Sequence, residues 1–160
     1  MFEFPIRLIP GVGIDGAHFG EPRSAHRESL GDFDSFTRGN PEVLVDIYVP
    51  SMVTLEYDDN DNLKYLQIAN NQAQVYWEDV QLSDEPVEQV RAAMRARGHE
   101  PVTVVNVDFY PELGLRLGVE WTDLGGPNED REGELVREIS LIQEETELAE
   151  LQRKIREMGA

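Results

Sequence analysis

The chain contains no cysteine, which excludes disulfides, thiolate zinc sites, iron–sulfur clusters and cysteine nucleophiles. Positive charge is scarce as well: 14 Lys and Arg stand against 32 Asp and Glu, and Lys64 and Lys154 are the sole lysines. The resulting net charge of −18 repels phosphate backbones and anionic lipid, so neither nucleic acid nor a membrane is an expected partner. A basic protein, by the same electrostatics, is steered towards the chain. No apolar run approaches the ~20 residues that span a bilayer. The opening stretch MFEFPIRLIP lacks a basic region followed by a continuous apolar segment, and a cytoplasmic protein is expected. Three histidines, His18, His26 and His99, share no ligand spacing, and no metal or other cofactor is expected.

What is present is the material of one domain: 160 residues, 40% of them hydrophobic. Its most informative pattern is internal. Glu21-Pro22 opens a short helical segment ending at Leu30-Gly31, and Glu85-Pro86 opens another ending at Gly98. Val45-Asp46-Ile47-Tyr48, followed by Pro50, matches Val107-Asp108-Phe109-Tyr110, followed by Pro111. Residues 62–68 resemble residues 134–139. The β-branched and alternating runs at 43–49, 52–57, 63–69, 102–110, 113–121 and 134–142 read as strands, and residues 5–9 and 74–82 each supply one more. The expected fold class is therefore α+β: two similar helix-plus-antiparallel-sheet half-repeats, 1–70 and 71–142, forming one domain. A C-terminal amphipathic helix over 143–160 follows, with Leu148, Leu151, Ile155 and Met158 on one face. That stripe packs on its own domain or serves as a homodimer contact.

Familiar catalytic patterns are lacking. Gly11, Gly13 and Gly16 match G-x-G-x-x-G, but Gly20 and Pro22 interrupt the helix that a dinucleotide site requires, leaving a loop. Asp58, Asn60 and Asn62 have calcium-loop spacing, yet Leu63 and Ala69 stand where that loop needs glycine and glutamate, so a turn is expected. No G-x-S-x-G elbow occurs. With 32 acids, chance carboxylate pairs carry no signal. No catalytic residue is assigned and a non-enzyme is expected.

Strand alternation supplies one positive clue. With Val45 and Ile47 turned inward, Asp46 and Tyr48 face out. Thr54 and Glu56 follow on the next strand, then Tyr65 and Gln67. With Val107 and Phe109 inward, Asp108 and Tyr110 face out, and Arg116 and Glu120 lie opposite an interior row of leucines. An open face of tyrosines interleaved with carboxylates suits a cationic protein surface. The candidate partner-binding residues are Asp46, Tyr48, Glu56, Tyr65, Asp108 and Tyr110.

The order G-I-x-x-A-x-F-G-E-P…L-G at residues 13–31, with a later strand L-K-Y-L-Q-I, resembles a half-repeat of the duplicated helix-plus-sheet domains. These include β-lactamase-inhibitor-protein and BamE-like folds, and uncharacterised bacterial proteins with tandem copies. The resemblance implies an architecture and binding through an exposed sheet face. The sequence departs from that family in its polar first helix and in having no cysteine, lipobox or signal peptide, which argues against a secreted inhibitor or outer-membrane role. The functional expectation is a non-catalytic acidic protein-binding module, an intracellular inhibitor or immunity-type protein for a basic toxin or enzyme. Its alternatives are a small-molecule-binding or hydrolytic enzyme with a cleft between the halves, and a structural subunit dimerising through the C-terminal helix.

Overall fold

A computed structural model describes residues 2–49, 51–69, 74–122, 133–143 and 157. The chain begins with β1 (Ile6–Leu8), the small hairpin β2 (Gly13–Ile14) and β3 (Ala17–His18), and α1 (Arg23–Ser29). Four strands follow: β4 (Phe33–Arg38), β5 (Val43–Tyr48), β6 (Val53–Tyr57) and β7 (Leu63–Ile68). Next come β8 (Val75–Trp77), β9 (Val80–Gln81) and α2 (Val87–Ala96), and then β10 (Val102–Val104), β11 (Val107–Tyr110), β12 (Leu115–Thr122) and β13 (Gly133–Ile142).

The balanced α+β layout of two half-repeats is corrected by this arrangement. The protein is mostly β, built on one antiparallel sheet of eight strands in the order β10-β11-β12-β13-β7-β6-β5-β4, with two short helices among the described residues. The sheet is continuous because β13 pairs with β7, placing Ile139 opposite Ile68 and Leu141 opposite Leu66. Unpaired, each of these strands would expose a row of backbone donors and acceptors beside an apolar face; paired, both requirements are met together. The helices are minor because α1 has seven residues and little apolar surface, its buried positions being Arg23 and His26. By contrast α2 buries Val87, Val90 and Met94 on one face, as its spacing predicts.

Local chemistry sets the remaining boundaries. No strand is predicted over 33–38, where Phe-Asp-Ser-Phe-Thr-Arg is largely polar, yet β4 forms there as a sheet edge. Edge strands have no second neighbour to demand apolar side chains. The expected strand at 5–9 forms as β1, whereas the single strand expected at 74–82 is instead the hairpin β8–β9; together they make a separate three-stranded sheet, β1-β8-β9, in which β1 runs parallel to β8. The single strand expected at 102–110 is instead the hairpin β10–β11, turning at Val105 and Asn106. At the acidic turn, Asp58 Oδ1 accepts the amides of Asn60 (2.9 Å) and Asn62 (3.0 Å), so the carboxylate is used by the loop itself.

Leu66, Ile68, Ile139, Leu117 and Tyr48 lie on one face of the large sheet, in the same core as Ile6, Leu8, Trp77, Val90 and Met94. That core defines the inner face, covered by the helices and the small sheet. The proposed C-terminal helix, with Leu148, Leu151, Ile155 and Met158, lies outside the described residues. Among the described residues no helix is long and apolar enough to cross a membrane.

Val105 is 91% exposed and has φ of 55°, an unfavourable angle for a β-branched residue. A two-residue hairpin turn with positive φ at its first position favours glycine there. Val105→Gly is therefore expected to stabilise the protein by about 1 kcal/mol, read as a raised urea midpoint at unchanged m-value.

Candidate functional site

The six candidate residues divide between two faces. Asp46 and Tyr48 lie opposite Leu55 and Val53 in the β5–β6 ladder, and paired residues share a face. They therefore point into the core, where Asp46 is 0% and Tyr48 1% exposed. Asp108 and Tyr110 lie opposite Leu117 and Leu115, and both are 0% exposed. The expected outward orientation of these four is corrected. Val45, Ile47, Val107 and Phe109 occupy the opposite face instead.

The reason is a pair of buried ionic clamps, in which an arginine on each helix reaches down to an aspartate on the inner face. Arg27 Nε and Nη2 of α1 donate to the two Asp46 carboxylate oxygens, each at 2.8 Å. Ser35 Oγ adds a bond of 2.7 Å, and Arg23 Nη1 lies 3.2 Å away. On the other arm of the sheet, Arg91 Nε and Nη2 of α2 donate to Asp108 at 2.7 and 2.9 Å, and Thr103 Oγ1 adds 2.7 Å. Two-pronged arginine–carboxylate pairing is the geometry that makes a buried charge tolerable.

The electrostatics follow from burial and these partners. Burial alone would raise the Asp46 pKa, but the hydrogen bonds from Arg27 and Ser35 and the charge of Arg23 outweigh it and hold the carboxyl below its ordinary value. Asp108 raises the pKa of Arg91 through the hydrogen bonds it accepts. Burial, assisted by the Asp46 charge, pushes the Tyr48 phenol up to about 12. Tyr110 is shifted upward by burial and by Asp108. His26 is buried too, with Nδ1 2.8 Å from the Tyr57 hydroxyl and Nε2 3.2 Å from Glu21.

Glu56 and Tyr65 do lie where alternation places them. They are opposite each other on the outer face of β6 and β7. The Tyr65 hydroxyl donates to Ser140 Oγ of β13 at 2.8 Å, and burial raises its pKa. Arg38 of the edge strand reaches over this part of the face. Its guanidinium carbon lies 5.6 Å from the Tyr65 ring centroid and 6.0 Å from that of Phe36, Nε is 3.4 Å from Glu56, and Nη1 donates to Gln67 at 3.1 Å. On the other arm Arg116 lies 5.8 Å from the Phe109 ring, with its Nε buried and without a hydrogen-bond partner among the described residues. A groove of about 530 Å³ opens there, lined by Asn106, Arg116, Glu120, Arg137 and Glu138 among others.

The open face is therefore a mixed aromatic, aliphatic and arginine surface, whose carboxylates are Asp34, Glu56, Glu120 and Glu138 rather than Asp46 and Asp108. Phe36, Ile47, Phe109 and Arg38 are its unforeseen members. The signal that points to them is helical spacing: Arg23 and Arg27 are four residues apart on α1, above a strand carrying a lone aspartate. Once that aspartate is assigned to the helix, the parity of β5 reverses.

The Asp46 clamp makes a definite pH prediction. Because the folded-state pKa is below the unfolded value, the stabilisation is present above about pH 4 and is lost as pH falls through the folded value. Asp46→Asn is expected to flatten the dependence of melting temperature on pH below about 4, and Asp46→Ala to cost about 3 kcal/mol by removing the carboxylate shared by Arg23 and Arg27, which leaves Arg23 only its 3.0 Å pair with exposed Asp61.

No protein-family model, curated protein or solved structure matches this chain.

Proposed function

We propose that the chain is a non-catalytic protein-binding module that holds its partner on the open face of the large sheet. The observation that carries this reading is the contrast between the faces. The helices and the small sheet cover the inner one, whereas no described element covers the outer one, where apolar groups on β4, β5 and β11 flank a mostly polar centre of Thr54, Glu56, Gln67 and Ser140. Phe36 is 40% exposed there, and Ile47, Tyr65, Phe109 and Ile142 are half-buried. Aromatic groups with polar neighbours supply contact area at small entropic cost, as binding hot spots require. Exposed Asp34 and Glu120 stand at opposite sides of the face, and the net charge of −18 favours a basic partner. An intracellular inhibitor or immunity-type protein for a basic toxin or enzyme is the most concrete form of this reading.

The test uses immobilised full chain and extract of the source organism. A partner eluted by salt, with affinity reduced at least about tenfold by Ile47→Lys and by Phe109→Ser, supports the proposal. A partner indifferent to both substitutions and to salt refutes it. So does a fall in melting temperature without any loss of binding, the outcome expected if residues 144–160 of the same chain occupy the face.

A second reading rests on the groove beside Arg116. An arginine Nε that is buried without an acceptor among the described residues suits a small carboxylate ligand. A dicarboxylate that raises the melting temperature of the wild type but not of Arg116→Gln would favour it; no shift with a carboxylate library would dismiss it.

A further inference from the structure

The large sheet ends in two edges of different character. At one, β10 has three residues. At the other, β4 has six, pairs on one side with β5, and has no strand on its far side among the described residues. Asp34, Ser35, Phe36 and Thr37 are all exposed, with Phe36 at 40%. A strand of this length with open backbone donors and acceptors is a template for another strand.

The β4 sequence suits a particular partner. Asp34, Phe36 and Arg38 lie opposite Ile47, Val45 and Val43 and therefore share the outer face, whereas Ser35 and Thr37 share the inner one. An antiparallel pairing of β4 with a second β4, about a two-fold axis normal to the sheet at Phe36, sets Phe36 against Phe36. It also sets each Asp34 against the other copy's Arg38, and each Ser35 against the other copy's Thr37. Both charges of the strand thus meet opposite charges, and the inner and outer faces each continue across the junction. Sliding the centre to Ser35 or Thr37 keeps the faces continuous but sets an apolar phenylalanine against each aspartate or arginine. This register is therefore the one specified by charge.

Arg38 lies back over the outer face, with Nε 3.4 Å from Glu56 and Nη1 donating to Gln67; pairing turns its guanidinium to the edge and exchanges the long Glu56 contact for the second copy's Asp34. Edge charges ordinarily discourage pairing, but here a −/aromatic/+ order is complementary to its own reverse. The opposing force is the net charge of −18 on each copy, which is screened beyond about 8 Å at physiological ionic strength.

We propose that the chain associates with a second copy of itself through antiparallel β4–β4 pairing centred on Phe36, with Asp34 and Arg38 exchanged between copies. This joins the two large sheets edge to edge and makes their outer faces one surface, and it does not depend on what that surface binds.

Sedimentation velocity of the full chain from about 1 to 100 µM, at about 0.15 and 0.5 M salt, tests it. The wild type is expected to move from 18.2 kDa towards twice that mass as concentration rises. Asp34→Arg places like charges opposite each other and should weaken association at least about tenfold, without changing the far-UV spectrum of an exposed edge position. The double variant Asp34→Arg/Arg38→Asp restores opposite charges and should restore association. A wild type that stays at 18.2 kDa at every concentration, or an Asp34→Arg variant that associates as the wild type does, overturns the proposal. The second result would place the contact on another surface, such as the Leu148–Met158 stripe. Failure of the charge-reversed pair to recover association would also overturn the stated register.

Discussion

A carboxylate in the interior of a protein is tolerated when a cation and further donors neutralise it, and two such carboxylates organise this fold. Asp46 and Asp108 each receive two bonds from one arginine and a third from a hydroxyl on the neighbouring strand. An unpaired charge at 0% exposure would cost several kcal/mol, so each helix is held over its aspartate. The same requirement fixes which side of β5 and β11 faces inward. With Asp46 and Tyr48 directed to the core, alternation leaves Val45 and Ile47 for the opposite face, and likewise Val107 and Phe109. The apolar groups that β5 and β11 turn to the open face are thus a consequence of polar chemistry on the covered one.

The helices dock to the sheet in different ways. The inner face of α2 is apolar, with Val87, Val90 and Met94 in the core, and its clamp adds orientation to an interface that hydrophobic burial already supports. The inner face of α1 is Arg23 and His26, both buried. Arg23 lies 4.3 Å above the Tyr57 ring and pairs with Asp46, and His26 meets Tyr57 and Glu21. A seven-residue helix is too short to be stable alone, and this polar, aromatic seam takes the place of a hydrophobic one. The two arms of the sheet meet through the β7–β13 ladder, where ordinary aliphatic pairs suffice.

The acidity of the chain has no single role. Asp46 and Asp108 are internal and structural. Asp58 is consumed by the amides of its own turn. Others form exposed ion pairs such as Arg95 with Glu100, which contribute little to stability. What remains at the margins of the open face, together with the long-range field of the excess charge, is the share that bears on a partner. Within that field the outer face combines the arginines Arg38 and Arg116 with aromatic groups and with Glu56 and Glu138.

Much of the local structure was legible in the chain itself. The helix at 87–96, most of the strands, the Asp58 turn and the inward row Leu115, Leu117 and Val119 follow from periodicity and turn chemistry. Glu56 and Tyr65 lie where alternation puts them because β6 alternates cleanly between apolar and polar residues and β7 does so from Tyr65 to Ile68, past the irregularity that buries both Leu63 and Leu66. Val-Leu-Val-Asp-Ile-Tyr and Val-Asp-Phe-Tyr do not alternate in this way, since both of their faces carry large apolar groups. Their parity depends on where an aspartate finds its cation, and Arg27 and Arg91 lie 19 and 17 residues away. The edge strand β4 and the joining of β7 to β13 were hidden for a related reason. Backbone pairing leaves almost no mark on side-chain pattern, and the choice of neighbour is made between segments distant in sequence. Composition and spacing therefore determined the elements and the charge of this protein, whereas the direction of each face was decided by contacts that exist only once the chain has folded.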